Sequence, residues 1–267
     1  MNRATTYIFA ENHADRELIR LHRIESALDP FSQALLTKTG IGPGWACLEI
    51  GAGAGSILQW LSDQVGSRGR AVGVDKTTKY LRQFTYPPVE IIEGDVLDLK
   101  LTDKFDLIHA RYVLIHNQRR TEILSKLKTL LKPGGVLVVE EPDFESAAEW
   151  IDEKYRTAGE RVNGAIRSMF LSMSLDPGCG KRLPDMVSRL GLAAKHIQAI
   201  AHLEPSGGPV ALVMAESAEA LRARYLSTGK VSHEDIDTYI KGARSGHTWA
   251  VYYSTIGVIC GQDFTES

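Results

Sequence analysis

Apolar residues recur along this chain with two periods, and the points where one period replaces the other divide it into elements. Over 12–37, Ala14, Leu18, Leu21, Ile24 and Leu28 fall three or four apart, with Arg16, Arg20 and Arg23 on another stripe. This is the spacing of an amphipathic helix, which Pro30 is expected to break into two pieces. The glycine-rich loop 40–44 closes it. From residue 45 short apolar runs alternate with helical patterns. Strands are predicted at 46–50, 70–74, 89–92, 105–110 and 136–139, and helices at 57–65, 78–84 and 123–131. Gly66 and Lys132-Pro-Gly-Gly135 supply stops after the first and last of these helices. Such alternation with short loops predicts a parallel sheet with helices on both faces.

After Pro142 the regularity fails. Segment 146–173 reads as one long amphipathic helix, with Trp150, Ile151, Tyr155, Ala158, Val162, Ala165, Met169 and Met173 on one face. A helix–strand pair follows at 182–190 and 193–202, then a turn at 206–209 and a helix at 217–226. Ser232-His-Glu-Asp235 has the pattern of a capping box opening another helix, and 248–260 reads as the last strand.

Composition narrows the function classes. The 267 residues carry 31 Lys+Arg against 33 Asp+Glu, a net charge of −2, which gives no electrostatic reason to expect nucleic acid or an anionic membrane as partner. No apolar run approaches the roughly 20 residues of a membrane span, and no apolar leader is legible near the N-terminus, so a cytoplasmic location is expected. Cys47, Cys179 and Cys260 are too scattered for a disulfide framework or a cysteine-rich zinc site. No His/Asp cluster has ligand-like spacing, so no metal is expected.

The chemistry concentrates in Leu48-Glu-Ile-Gly-Ala-Gly-Ala-Gly55, between a predicted strand and a predicted helix. Glycines at 51, 53 and 55 let backbone approach a ligand without a Cβ, and the helix that follows points its free N–H groups at the same place. Asp75 ends the second strand, where a carboxylate can accept both hydroxyls of a ribose or simply cap the residues after it. Asp95 follows the third strand, where it can accept the exocyclic amine of adenine or hold a turn. Two residues speak against a nicotinamide dinucleotide. Ser56 stands where its fingerprint needs Gly or Ala, and Glu49 would repel a pyrophosphate while suiting an ammonium or a sulfonium.

Residues 48–55, Val74-Asp75, Gly94-Asp95-Val96, Phe105-Asp-Leu-Ile108 and Leu131-Lys-Pro-Gly-Gly-Val-Leu137 together resemble the class I S-adenosylmethionine-dependent methyltransferases, strongly over 41–142 and more loosely beyond. The resemblance implies an α/β fold with a seven-stranded, mostly parallel sheet whose last strand runs antiparallel. It adds a helical N-terminal lid over 1–40 and an α/β domain over 41–267, with cap insertions at about 144–176 and 210–246. It implies S-adenosylmethionine as cofactor and S-adenosylhomocysteine as product. Gly51, Gly53 and Gly55 would contact the methionyl part, with Glu49 near its ammonium. Asp75 would bind the ribose with Lys76 beside the adenine, Asp95 and Val96 would hold the adenine edge, and Ala110 and Arg111 would line the methionine end. Tyr7 and the stretch around Arg20 resemble the opening helix of bacterial small-molecule members. There an Arg meets the cofactor carboxylate; a solvated face shared with Arg16 and Arg23 is the alternative.

Methyl transfer from a sulfonium is an in-line displacement, so orientation and exclusion of water matter most, and a base is needed only for a protonated acceptor. Tyr112, His116, Glu140, Glu141 and Asp143 are the candidates near the sheet's carboxyl edge, alongside packing or loop roles for each. His109 reads as a packed strand residue. No D/N-P-P-Y/F motif follows the fourth strand, as amino-methylating nucleic-acid enzymes would have, and the Met- and aromatic-rich segment 150–173 suits a closed pocket for a small organic molecule. The expected activity is methylation of an O, N or C nucleophile in natural-product or related biosynthesis, by a monomer or homodimer. The alternatives are a non-methylating relative (a cyclase or regulatory binder) and, further off, a nicotinamide oxidoreductase.

Overall fold

The computed structural model describes residues 14–146 and 148–262, with side chains from Arg16 onward. Helix α1 (Ala14–Thr37) leads into the alternating part: β1 (Ala46–Ile50), α2 (Ser56–Val65), β2 (Arg70–Asp75), β3 (Val89–Glu93), β4 (Phe105–Arg111), α3 (Arg120–Leu130) and β5 (Leu131–Asp143). The remainder is β6 (Glu149–Trp150), α4 (Glu153–Ser172), α5 (Cys179–Arg189), β7 (Ala193–Pro205), α6 (Pro209–Ala220), α7 (Arg222–Ser227), α8 (His233–Arg244) and β8 (Trp249–Gly261).

The strands form one sheet in the order β3-β2-β1-β4-β5-β8, with β7 on the outer edge of β8 and the short β6 also paired to β8. β1 to β5 pair in parallel, whereas β8 runs antiparallel to both β5 and β7. This is the mostly parallel sheet with an antiparallel last strand that the resemblance implied, plus a two-residue ribbon. Because β1 lies between β2 and β4, the chain reverses its direction of sheet growth there, and a crevice opens at the carboxyl ends of those strands.

Strand alternation sends side chains to two apolar layers. Leu48, Ile50, Ile108, Ala110, Leu137 and Val139 face one layer with α3, α4, α5 and α8. Cys47, Leu107, Val136 and Val138 face the other, with Leu58 and Leu61 of α2 and Leu35 and Leu36 of α1. Phe31, Leu35 and Leu36 of α1 seat on this second layer, and the helix packs along α6.

Three local expectations are corrected. Helix α1 runs unbroken through Pro30, because Leu28 before the proline and Phe31 and Leu35 after it are all buried, the last two on the sheet. Residues 78–84 form turns rather than a helix, their contacts being local ones such as the Leu81 N–H to the Thr78 carbonyl. Helix α4 starts at Glu153, not 146, since the Asp152 side chain caps it by accepting the Lys154 N–H at 3.0 Å and Glu149–Trp150 pair with β8. The capping box forms as read: Ser232 Oγ accepts the Asp235 N–H at 3.1 Å, and the Asp235 carboxylate accepts the Ser232 N–H at 2.9 Å.

Candidate active site

At the switch point lies a cavity of about 660 Å³. Its floor is the loop 49–57, one end is formed by Asp75, Lys76 and Gly94–Val96, the other by Arg111, Tyr112, Val113, His116 and Asn117, and its roof by Glu17, Arg20, Leu21, Ile24 and Glu25 of α1. The roof is tied down: Glu25 accepts the Ser56 N–H at 3.1 Å, and Asp29 accepts the Ser56 hydroxyl at 3.1 Å, so two acids of α1 sit at the N-terminus of α2.

The glycines of the loop divide by what a side chain would meet. Gly53 has φ +60 and open space where its Cβ would point, the nearest atom being Leu21 Cδ2 at 3.6 Å, and it lines the cavity. Gly55, φ +100, would drive a Cβ to 2.3 Å from the Phe84 ring and does not line the cavity. Gly53 therefore keeps ligand space clear, whereas Gly55 is required by packing under the loop.

The acids at the Asp75 end are held in place by backbone. Asp75 accepts the Gly53 N–H at 2.9 Å and the Thr77 N–H at 3.1 Å, while burial pushes its carboxyl above the usual range. Asp95 accepts the Leu97 N–H at 2.9 Å and pairs with Lys76 at 2.9 Å; its burial opposes the charge, but these contacts hold it below the usual range. Lys76 thus neutralises Asp95 at the rim.

Tyr112 stands at the opposite end with φ 57, a left-handed conformation uncommon for a non-glycine residue and worth about 1 kcal/mol or more of strain. Its N–H bonds to the Glu140 carbonyl at 2.8 Å and its hydroxyl reaches Thr255 Oγ1 at 2.5 Å. His116 is next along the wall, where burial and then the nearby Arg20 push its imidazole down to about 3, so the ring is neutral at physiological pH. The turn carrying it is fixed by Glu141, whose carboxyl group accepts the N–H groups of Val113, Leu114 and Ile115 at 2.9, 2.6 and 3.0 Å.

Beneath the loop runs a chain of buried polar groups. Glu49 Oε2 meets His109 Nδ1 at 2.7 Å, and His109 Nε2 meets Glu140 Oε1 at 2.9 Å. Ser32 donates its hydroxyl to Glu140 Oε2 at 2.8 Å, and Arg111 donates to Ser32 Oγ at 2.9 Å and Asp29 at 2.8 Å. Burial disfavours a charged His109, yet Glu49 and Glu140 override it and raise the imidazole to about 9.

Of the residues singled out from sequence, Arg20, Glu49, Gly51, Gly53, Asp75, Lys76, Asp95, Val96, Arg111, Tyr112 and His116 meet around this cavity. Arg20 is buried there and doubly bonded to Glu17, at 3.0 and 2.7 Å, rather than sharing a solvated face. Five others do not line it, among them Glu141, which holds the turn 113–115 instead. Gly55 is under the loop, and Ala110 points its buried methyl into the opposite layer. Glu140 is fully buried on His109 and Ser32, and Asp143 binds the Glu145 and Ser146 N–H groups at 2.9 and 3.3 Å. Tyr7 lies outside the described residues. The residues missed were His109, Ser32 and Asp29. Among the described residues no cluster of His, Cys, Asp and Glu could hold a metal ion, and no helix is long and apolar enough to cross a membrane.

The cavity suits a nucleoside with a cationic tail. Carboxylates stand at both ends, Asp75 and Asp95 at one and Glu49 toward the other, and the floor between them is bare backbone at Gly53.

A methyltransferase-domain family matches residues 41–191, the part that builds the sheet's parallel strands and the loop. A 37.1 kDa protein of a Streptomyces fradiae transposon is 29% identical over 55% of this chain, which spans only 47% of that relative's length. The 2-phytyl-1,4-naphtoquinone methyltransferase of Trichormus variabilis is 30% identical over 52% of this chain and 67% of its own. A solved S-adenosylmethionine-dependent methyltransferase from Aquifex aeolicus shares the fold over 97% of this chain and 98% of its own, with TM-score 0.51 and 14% identity. With the loop, the acids at successive strand ends and the sheet order all in agreement, the chain belongs to the methyltransferase-domain family and is a class I S-adenosylmethionine-dependent methyltransferase.

Proposed function

We propose that this protein transfers the methyl group of S-adenosylmethionine to a small organic acceptor in natural-product or related biosynthesis. The observation that carries the reading is the roofed cavity, with nucleoside-binding acids at one end and Tyr112 and His116 at the other. When bound, the cofactor would supply an electrophilic methyl on a sulfonium. The chain's own residues do the rest. Asp75 holds the ribose hydroxyls, Asp95 and Val96 the adenine edge, and Glu49 the ammonium, with Arg20 above for the carboxylate. α1 excludes water, which would otherwise compete as a nucleophile and screen the charges. His116, held neutral by burial and the nearby Arg20, accepts a hydrogen bond from a hydroxyl acceptor and orients it together with Tyr112. The naphthoquinone relative makes naphthoquinone-type rings the first acceptors to try.

The test is incubation with S-adenosylmethionine and a panel of phenols, hydroxynaphthoquinones and amines, read by mass spectrometry. A methylated product with stoichiometric S-adenosylhomocysteine is expected. Product formed while the donor stays intact would overturn methyl transfer, and calorimetry showing no donor binding to folded protein would overturn the site. Asp75→Ala should weaken donor binding by about 1.5–3 kcal/mol, the scale of a charge-supported hydrogen bond, as calorimetry would show. If α1 acts as a lid, amide exchange over 16–24 should slow on adding S-adenosylhomocysteine.

A further inference from the structure

The Glu49–His109–Glu140 chain does more than fill space. His109 is wholly buried at the centre of β4, opposite Glu49 of β1 in the strand register, with Glu140 of β5 on its other nitrogen. An imidazole that touches a carboxylate with each ring nitrogen satisfies both contacts as donor only when it carries both protons. Glu49 is the member that also lines the cavity. The second oxygen of Glu140 takes the Ser32 hydroxyl, and Arg111 bridges Ser32 to Asp29, so the chain ends on the roof helix α1.

We infer that His109 is a positioning residue of the methyl-donor site: doubly protonated, it clamps Glu49 as an anion beneath the methionyl ammonium and, through Glu140 and Ser32, ties that anion to the roof helix. This rests on the donor site proposed above. The charges favour it. Glu49, Glu140 and Asp29 face this interior against His109 and Arg111, so one net negative charge remains when His109 is protonated, matching a ligand ammonium. Without the proton Glu49 would face a neutral ring and a second carboxylate close behind it, and burial would drive it to take up a proton itself. Burial does push Glu49 upward, and the contact with His109 is what opposes this. The other oxygen of Glu49 is then free to meet the ligand with its charge intact.

Two measurements test this. In the intact protein labelled with 15N-histidine, both His109 nitrogens should show imidazolium shifts at pH 7.5 and lose them only near pH 9. Neutral-ring shifts at pH 7.5 would overturn the inference with no variant made. The second compares two nucleosides, S-adenosylhomocysteine, which carries the ammonium, and 5′-methylthioadenosine, which does not. His109→Asn, which keeps a donor for one carboxylate at most, should weaken S-adenosylhomocysteine by about tenfold or more, the loss of a charge-assisted contact, yet leave 5′-methylthioadenosine within about twofold. Glu140→Gln removes one of the charges that hold the proton. In it, S-adenosylhomocysteine affinity should fall as pH rises from 7 toward 9, a range over which the parent stays nearly flat. Equal losses for both nucleosides in both variants would mark a merely structural histidine and overturn the inference while the donor site stands. A parent that binds neither nucleoside would overturn the donor site and this inference with it.

Discussion

Gly53→Val should abolish methyl-donor binding, by two orders of magnitude or more in affinity, while the protein still folds. The Cβ at this position would meet nothing nearer than 3.6 Å, so the fold itself has room for it, and the two methyls beyond it would stand in the cavity. Two costs must be kept apart. Forcing a side chain into φ +60 costs roughly 1–2 kcal/mol of stability, seen as a few degrees in melting temperature. Filling the ligand's space costs about 3 kcal/mol or more of binding, the scale of overpacking a tight contact. Gly55→Ala should show the reverse balance, because its Cβ would lie 2.3 Å from the Phe84 ring, outside the cavity. It should melt lower than Gly53→Val, whose damage is to binding. Calorimetric titration with S-adenosylhomocysteine beside thermal melts separates the two. Parent-like affinity in Gly53→Val would mean that the ligand lies elsewhere.

That the loop, Asp75 and Asp95 meet around one cavity was legible because each of these signals is local in sequence. A glycine loop between strand and helix, an acid at the end of β2 and an acid after β3 each occupy a few consecutive residues, and the parallel topology brings successive strand ends together without further instruction. The errors fell where the deciding partner is distant. Pro30 looks like a helix breaker from its neighbours alone, but the burial of Leu28, Phe31 and Leu35 on either side of it outweighs the one backbone bond lost. Glu140 and Asp143 read as acceptor-facing because they end a strand. Strand parity decides otherwise for Glu140. Residues 47, 107, 136 and 138 face the layer with α1 and α2, so 49, 109 and 140 share that side at the carboxyl end. Three charged residues of one parity on adjacent strands are a signal of a buried polar chain. It could have been read from the alternation once the strand order was known. That α1 supplies Ser32 and Asp29 to the chain could not, since no pattern in a helix names the strand it will cover.

Glu141→Ala should be the most destabilising single change at the site, by about 3–5 kcal/mol, because it strips the partner from three successive backbone N–H groups, two buried and one part-buried, each worth roughly 1–3 kcal/mol when left unsatisfied. Those groups belong to Val113, Leu114 and Ile115, the turn that carries His116 to the cavity wall, so donor and acceptor contacts should be lost together. Glu141→Gln separates the parts. Its amide oxygen can keep Val113 and Leu114, which share one carboxyl oxygen, while its NH2 turns toward the Ile115 N–H and loses one bond, costing about 1–2 kcal/mol. The pH dependence gives a second handle. Burial, working against the three N–H groups, raises Glu141 from 4.5 to about 8. Between those values the folded protein keeps a proton that the unfolded chain has released, so this residue makes stability decline as pH rises through that window. Glutamine has no such proton, so denaturant titrations of the parent and Glu141→Gln should converge from pH 5 toward pH 8, as the parent loses what the variant never had. A gap that stays constant would mean Glu141 is ionised throughout, and the raised carboxyl would be refuted.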